Sequence, residues 1–212
     1  MSDSPAFLIL KFPAATDAGS IERWSDAIAT NRGTVLAAAS ADAVKPLEEG
    51  SAHDALVLAR FAVASDLDVF WSEAPVFPTC LVALAAEGLP WEGWPGNEVP
   101  TIETVTVPDD GTPRCYMLIE GTGRDEQRLD QYRDIILPML RERGAYYVLF
   151  SLGGTTRVLA GAWDEAVLAI SRWPSRARAE DFWYSERYQK VAIAIRTGVS
   201  RFDVQLLDGL KA

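Results

Sequence analysis

Cysteine and histidine are scarce in this sequence, and their scarcity excludes several kinds of site. The two cysteines, Cys80 and Cys115, do not form a disulfide framework or a CxxC redox pair, and we expect both to be small buried hydrophobic residues. The single histidine, His53, lies in an acidic segment without a second ligand at metal spacing. The sequence therefore predicts no metal site.

Common catalytic motifs are missing as well. Gly153-Gly154 is not part of a GxGxxG or Walker pattern, so we expect no phosphate-binding loop there. The sequence contains no Ser-His-Asp arrangement, no HExxH helix and no cluster of Cys, His and carboxylates. We therefore expect no cofactor, and these residues alone do not identify a reaction.

Long apolar runs and basic stripes are absent too. No apolar run approaches the roughly 20 residues needed to span a bilayer. Ala6–Leu10 is too short for a signal-peptide core and lacks a basic leader, so we expect a cytoplasmic protein. Residues 1–108 hold five Lys or Arg against 15 Asp or Glu, whereas residues 109–212 hold 15 of each. This acidic balance argues against nucleic acid or a membrane as the partner.

The sequence does contain a pattern that occurs twice. Five residues of the second half match residues of the first half at one constant offset of 112 positions. The pairs are Leu56 and Leu168, Arg60 and Arg172, Phe61 and Trp173, Phe70 and Phe182, and Trp71 and Trp183. We interpret the chain as two copies of one domain, in residues 1–108 and 114–212.

In the first half, the hydrophobic spacing alternates between strand and helix periods. The predicted elements are strand Phe7–Phe12, helix Ser20–Arg32, strands Val35–Ala39 and Ala55–Phe61, helix Ser65–Glu73 and strand Ile102–Val107. Gly33 suits a left-handed cap at the end of the first helix. Ala41–His53 is typical of a connecting loop, and Cys80–Ala86 suits one or two turns of helix.

A segment rich in proline and glycine, Gly88–Pro100, separates the last two predicted elements of the first half. Such a composition makes regular structure improbable, while Trp91 and Trp94 favour burial. We expect a loop that these tryptophans hold against a neighbouring surface. It would join the two domains, or alternatively cover a pocket.

The second half repeats the same order of elements. The predicted segments are strand Tyr116–Ile119, a helix with apolar spacing from Leu129 to Leu140 and a cap at Gly144, strands Tyr146–Leu152, Arg157–Ala160 and Glu165–Trp173, a helix from Ser175 to Ser185 with a further turn or two at Val191–Ile195, and strand Val199–Leu207. Each copy is therefore βαββαβ, the ferredoxin-like order. A sheet with both helices on one face leaves its other face bare, so we expect the two sheets to cover each other.

The second copy resembles the family named domain of unknown function 1330, within the dimeric α/β-barrel superfamily, over roughly residues 114–208. The resemblance is carried by Tyr132, Gly144, Gly153-Gly154, Leu159, Gly161, Arg172-Trp173-Pro174 and residues 183–189. It implies an α+β fold of two ferredoxin-like βαββαβ units that pack sheet to sheet. Family members pair two barrels as a homodimer, so this chain would be a pseudo-dimer, either monomeric or paired again as a homodimer. A haem held by histidine, as in some enzymes of the superfamily, would require His53 to lie in a pocket.

The candidate ligand-binding residues are Glu120, Tyr132, Tyr146, Arg172, Trp183 and Tyr188. Arg172 shares a strand face with Leu168 and Ile170 and could bind a carboxylate, or it could simply reach solvent or pair with an Asp or Glu of the protein. Trp183 and Tyr188 could form an aromatic wall, although core packing is the preferred explanation of Trp183. Glu120, Tyr132 and Tyr146 could act as acid or base if they were desolvated.

Three functions are compatible with these residues. The preferred one is a binding protein that encloses a small apolar or aromatic carboxylate between the sheet and helices of the second copy. A cofactor-free isomerase or monooxygenase is an alternative that the resemblance implies. A purely structural pseudo-dimer, with its pocket filled by side chains, is the third.

Overall fold

The computed structural model describes residues 5–48, 54–73, 80–88, 113–123, 125–152 and 155–210, and within these ranges the chain forms strands and helices. The strands are β1 (Ala6–Phe12), β2 (Gly33–Ala39), β3 (Lys45–Pro46), β4 (Ala55–Phe61), β5 (Val82–Glu87), β6 (Cys115–Gly123), β7 (Tyr146–Leu152), β8 (Arg157–Ala160), β9 (Val167–Trp173) and β10 (Ser200–Asp208). The helices are α1 (Ala18–Thr30), α2 (Ala64–Glu73), α3 (Glu126–Glu142), α4 (Arg176–Trp183) and α5 (Ile193–Arg196), and a π-helical stretch, Tyr188–Ala192, precedes α5.

Side-chain caps fix where three of the helices begin. The carboxylate of Asp17 accepts a hydrogen bond from the backbone N–H of Ser20 at 3.0 Å, and Asp125 caps α3 in the same way. Ser175 accepts from the N–H of Arg178 at 3.4 Å and so caps α4, as predicted. Each cap satisfies a backbone donor that the first helical turn would otherwise leave without a partner.

The described strands form two antiparallel five-stranded sheets with the same internal order. Sheet A runs β2-β4-β1-β5-β8 and sheet B runs β3-β10-β6-β9-β7. When the outer strands β8 and β3 are left out and sheet B is read from β7 to β10, each sheet holds the strands of its own half in the order second, third, first, fourth. This is the strand order of a ferredoxin-like unit. Each outer strand comes from the other half of the chain, so the halves exchange one edge strand each.

Residues of alternate parity on each strand face opposite sides of the sheet. Phe7 and Ile9 of β1 pack against a cluster that also holds Tyr116 and Leu118 of β6, so one face of sheet A meets one face of sheet B. The opposite faces pack against the helices in two separate cores. The predicted α+β fold, two ferredoxin-like units packed sheet to sheet, is confirmed.

The residue pairs of the 112-position offset occupy equivalent places on the strands and helices of the two halves. Leu56 is the second residue of β4 and Leu168 the second of β9, and both lie in the core between the sheets. Phe70 and Phe182 are buried against the helix-facing sides. A duplication explains this arrangement, and it stays a prediction together with the boundaries at residues 108 and 114.

Three predicted details of the first half are wrong. Cys80–Ala86 was expected to be helical, but Val82–Glu87 forms β5 because it pairs with β1 on one edge and β8 on the other, which outweighs the helix preference of its alanines. Ala41–His53 was expected to be a loop, but it contains β3, which pairs with β10. The left-handed residue after α1 is Arg32, with φ 67°, rather than Gly33.

Gly33 instead begins β2, and a Cβ there would collide with the side chains of Ile28 and Phe61. In the second half, Gly144 does take the left-handed conformation, with φ 70°. The predicted strand Ile102–Val107 and the loop with Trp91 and Trp94 lie outside the described residues.

The two cysteines are free thiols, as expected. Cys115 is fully buried, and this burial raises the pKa of its thiol to about 12. Cys80 is only half-buried, at the edge of the core beneath sheet A, so the expectation of full burial is wrong for this residue.

Candidate functional site

A pocket lies between sheet B and the helices of the second half. It is bordered by β6, β7, β9 and β10 on one side and by α3, α4 and the start of the π-helical stretch on the other. The empty space of the pocket is about 690 Å³, a volume that includes the part open to solvent. The volume that the centre of a water molecule can occupy is about 60 Å³. One water needs roughly 10–15 Å³ of this smaller volume, so the pocket has room for several waters or a small organic molecule.

Aromatic side chains form one wall of this pocket. The Tyr188 ring lies 4.6 Å from Phe182 and 4.8 Å from Trp183, measured between ring centroids, and Phe182 packs 5.0 Å from Trp173. All four residues line the pocket. Tyr188 begins the π-helical stretch, a type of distortion that often occurs at functional sites.

Two tyrosine hydroxyls meet at one side of the pocket. The hydroxyl oxygens of Tyr132 and Tyr188 are 2.9 Å apart, and either of them can be the donor. The guanidinium of Arg196 lies 5.9 Å from the centre of the Tyr132 ring and 5.3 Å from that of Phe202. Arg196 is buried and forms an ion pair with Glu48 from the first half.

Burial keeps these hydroxyls protonated at neutral pH. Loss of solvation raises the pKa of Tyr132 and raises that of Tyr188 well above its usual range, with the neighbouring Tyr132 adding to the second effect. The positive charge of Arg196 acts in the opposite direction on both pKa values without reversing them. Both phenols are therefore hydrogen-bond donors and acceptors rather than bases.

A third tyrosine of the pocket, Tyr147, was missed by the sequence analysis. It is buried against Phe150 and lines the pocket, and burial raises the pKa of its hydroxyl. The sequence pattern predicts its neighbour Tyr146 instead, but Tyr146 faces the other side of sheet B. The parity of the strand could have shown this, since Tyr146 is paired with Arg172, whose face was predicted correctly.

Arg172 and Tyr146 lie between the two sheets. Arg172 donates from Nη1 to the Tyr146 hydroxyl at 2.7 Å. On the neighbouring strand β6, the residue paired with Arg172 is Tyr116. The Nε of Arg172 is buried and makes no hydrogen bond. The predicted face of Arg172 is confirmed, and that face does not border the pocket.

Glu120 also lies between the sheets, and it joins the two halves. Its carboxylate is 2.5 Å from Nζ of Lys11 on β1 and accepts a hydrogen bond from Nε1 of Trp163 at 2.8 Å. Only 4% of the Glu120 side chain is exposed. Glu120 is paired with Leu168 of β9, whereas Arg172 is paired with Tyr116. These two pairs are four residues apart along β6, so roughly 13 Å of strand separates Glu120 from Arg172.

The six candidate residues therefore fall into separate groups. Tyr132, Trp183 and Tyr188 line the pocket together, whereas Tyr146 and Arg172 meet on the opposite face of sheet B and Glu120 pairs with Lys11. Among the described residues, no group of three or more His, Cys, Asp and Glu could hold a metal ion. His53 lies outside the described residues.

The raised tyrosine pKa values predict how stability changes in alkali. Above pH ~10, tyrosines of the unfolded chain lose protons that the buried tyrosines retain, so stability falls as pH rises. Each buried tyrosine removes up to about 1.4 kcal/mol per pH unit until its folded-state pKa is reached. Urea unfolding between pH 8 and 11 should show a shallower decline for the Tyr147→Phe/Tyr188→Phe variant than for the wild type.

Tyr184→Phe is the matched control, because the Tyr184 side chain is largely exposed at 57%. It should leave the alkaline decline in stability unchanged. If the stability of the double variant falls with pH as steeply as that of the wild type, the hydroxyls of Tyr147 and Tyr188 are not buried as described.

The sequence of this half is similar to a known family. Residues 114–210 match the family model described as Domain of unknown function (DUF1330). Residues 114–210 are called the DUF1330 domain below, after the family that they resemble. The match begins just before β6 and ends after β10, so all strands and helices that border the pocket belong to the DUF1330 domain.

Solved structures share the fold over the whole chain. An anthrone oxidase-like protein superimposes with a TM-score of 0.50 and 14% identity, over 99% of this chain and 92% of its own. A chlorite dismutase variant from Candidatus Nitrospira defluvii gives a TM-score of 0.52 and 11% identity, over 100% of this chain and 93% of its own. At such identities the similarity shows the fold alone.

No curated protein matches the sequence. In the part of the chain that the structure describes, no helix is long and apolar enough to cross a membrane.

Proposed function

We propose that the DUF1330 domain binds a small apolar or aromatic carboxylate in the pocket between sheet B and its helices. The observation that carries the proposal is an apolar cavity with a few polar groups at its border, the usual composition of a ligand site. The Phe182, Trp183 and Tyr188 rings offer flat surfaces to an aromatic ring.

The partner of the carboxylate differs from the one expected. Arg172 does not border the pocket, whereas Arg133 on α3 does, and 12% of its side chain is exposed. Arg133 is paired with the more exposed Asp130, one turn away on the same helix, so a carboxylate in the pocket would compete with Asp130 for its guanidinium. The hydroxyls of Tyr132 and Tyr188 add hydrogen-bond donors that suit an anionic oxygen.

The pocket favours binding over catalysis. A cofactor-free isomerase or monooxygenase would use a group that removes a proton from its substrate, and the described tyrosines of the pocket have pKa values raised by burial. The purely structural alternative requires a pocket that takes no ligand. Binding measurements separate these alternatives.

Isothermal titration calorimetry with 2-naphthoate tests the proposal on the whole protein. Its 13 non-hydrogen atoms, at about 0.3 kcal/mol each, predict a dissociation constant of about 1 mM or tighter. The cation 2-naphthylmethylammonium has the same rings and the opposite charge, so it should bind more weakly. Absence of heat with both probes would support the structural alternative, and conversion of 2-naphthoate to a product would support the enzyme.

A further inference from the structure

A short segment of the first half lies against the DUF1330 pocket. Strand β3 pairs with β10, and the backbone N–H of Leu47 donates to the carbonyl of Val204 at 2.8 Å. Val204 lines the pocket, and Leu47 packs on the same hydrophobic core. The segment therefore contacts a strand that lines the pocket, although it precedes the DUF1330 domain by more than 60 residues.

The segment is held by ion pairs as well as by its backbone. Lys45 Nζ lies 2.7 Å from Glu180 of α4, and Glu48 pairs with Arg196 of α5. Only 7% of the Arg196 side chain and 25% of the Glu48 side chain are exposed, so this second pair is largely withdrawn from water. An ion pair with so little solvent has a strong preference for one geometry.

Arg196 lies behind the polar border of the pocket. It contacts the faces of Tyr132 and Phe202, which line the pocket, but it is not part of the lining itself. Its Nε is buried and makes no hydrogen bond in the structure. A guanidinium has donors only, so it turns lone pairs of the neighbouring phenol oxygens toward itself.

The donor count of the two hydroxyls then determines what a ligand meets. Tyr132 and Tyr188 share one hydrogen bond, which uses one of their two hydroxyl hydrogens. With the lone pairs turned toward Arg196, we expect the remaining hydrogen to point away from the guanidinium and into the pocket, which both tyrosines line and Arg196 does not. The ligand atom that fits there is an acceptor, such as the oxygen of a carboxylate or a ketone.

We propose that Arg196, held in place by Glu48 of the first half, is a positioning residue that makes the Tyr132–Tyr188 pair present a hydrogen-bond donor to the ligand. The proposal rests on the proposed function and extends it, because it names an acceptor oxygen as the recognised group. It also makes the site incomplete without the first half.

The test measures a preference rather than an affinity. The dissociation constants of 2-acetonaphthone, which has a ketone oxygen, and of 2-ethylnaphthalene, which has the same shape without an acceptor, are compared in the full-length protein. One added hydrogen bond predicts that wild-type protein favours the ketone by about fivefold. Arg196→Gln should reduce this ratio to about one, Arg196→Lys should restore part of it, and Glu48→Gln should lower it.

A double-mutant cycle shows whether Arg196 acts through the hydroxyls. In a Tyr132→Phe/Tyr188→Phe background, Arg196→Gln should leave the ratio unchanged, because the groups that it positions are gone. Equal effects of Arg196→Gln with and without the hydroxyls would overturn the positioning role. An unchanged ratio in Glu48→Gln would overturn the contribution of the first half.

These outcomes are distinct from a failure of the proposed function. If wild-type protein binds neither naphthalene derivative, the pocket is not a ligand site, and both proposals fall together. If it binds the two equally, the pocket binds apolar ligands and only the acceptor recognition is wrong. Glu48→Gln changes a quarter-exposed side chain, so it keeps the test available should the Arg196 variants not fold.

Discussion

Replacement of Glu120 by leucine is expected to destabilise the protein by about 3–5 kcal/mol, because it leaves a buried charge without its partner. Lys11 and Glu120 come from different halves and meet between the two sheets, with only 11% and 4% of their side chains exposed. The substitution would leave the Lys11 ammonium in an apolar interior and Trp163 without an acceptor for its Nε1. Urea unfolding at pH 7 measures the loss.

Two further variants control this experiment. Lys11→Met/Glu120→Leu removes both charges, so it should recover to within about 1–2 kcal/mol of the wild type. Glu186→Leu breaks an exposed pair with Lys190, whose side chains are 72–78% exposed, and should change stability little. If Glu120→Leu has no greater effect than Glu186→Leu, the space between the sheets is open to water, contrary to the fold described above.

Filling the pocket is expected to abolish ligand binding. Ala169 lies on the helix-facing side of β9 and lines the pocket, so the larger side chain of Ala169→Leu would occupy part of its small enclosed volume. We expect 2-naphthoate to bind at least about 30-fold more weakly, a loss of about 2 kcal/mol of binding free energy. Stability should change less than for a substitution in a filled core, because the cavity takes up the added atoms.

Ala59→Leu is the matched substitution in the first half. Ala59 lies on the helix-facing side of β4 and is completely buried. Added atoms there should cost about 1–3 kcal/mol of stability and leave 2-naphthoate binding unchanged. The reverse pattern, with binding lost in Ala59→Leu and retained in Ala169→Leu, would place the ligand site in the first half.

Much of the fold could be predicted because hydrophobic periodicity records which faces are buried. Ala55–Phe61 was predicted with the bounds that β4 has, and the face of Arg172 followed from Leu168 and Ile170. Val82–Glu87 was missed because alanine favours a helix when no neighbour is known, and only pairing with β1 and β8 makes it a strand. Strand β3 is two residues long and depends on its partner β10 in the same way.

The site was only partly predictable for a similar reason. Tyr132, Trp183 and Tyr188 were found because they form part of a motif, whereas Tyr147 required a consistent choice of strand face. Arg196 and Glu48 gave no signal, since they are 148 positions apart and their pairing follows from the exchange of edge strands between halves. Contacts of this kind come from tertiary packing, which periodicity does not record.

The most direct test of the account is a crystal structure of the full-length protein with bound 2-naphthoate. We expect density for the naphthalene rings against Trp183 and Tyr188, with the carboxylate at the Tyr132–Tyr188 hydroxyl pair. Density between the two sheets at Arg172, or a pocket that stays without the ligand at saturating concentration, would contradict it.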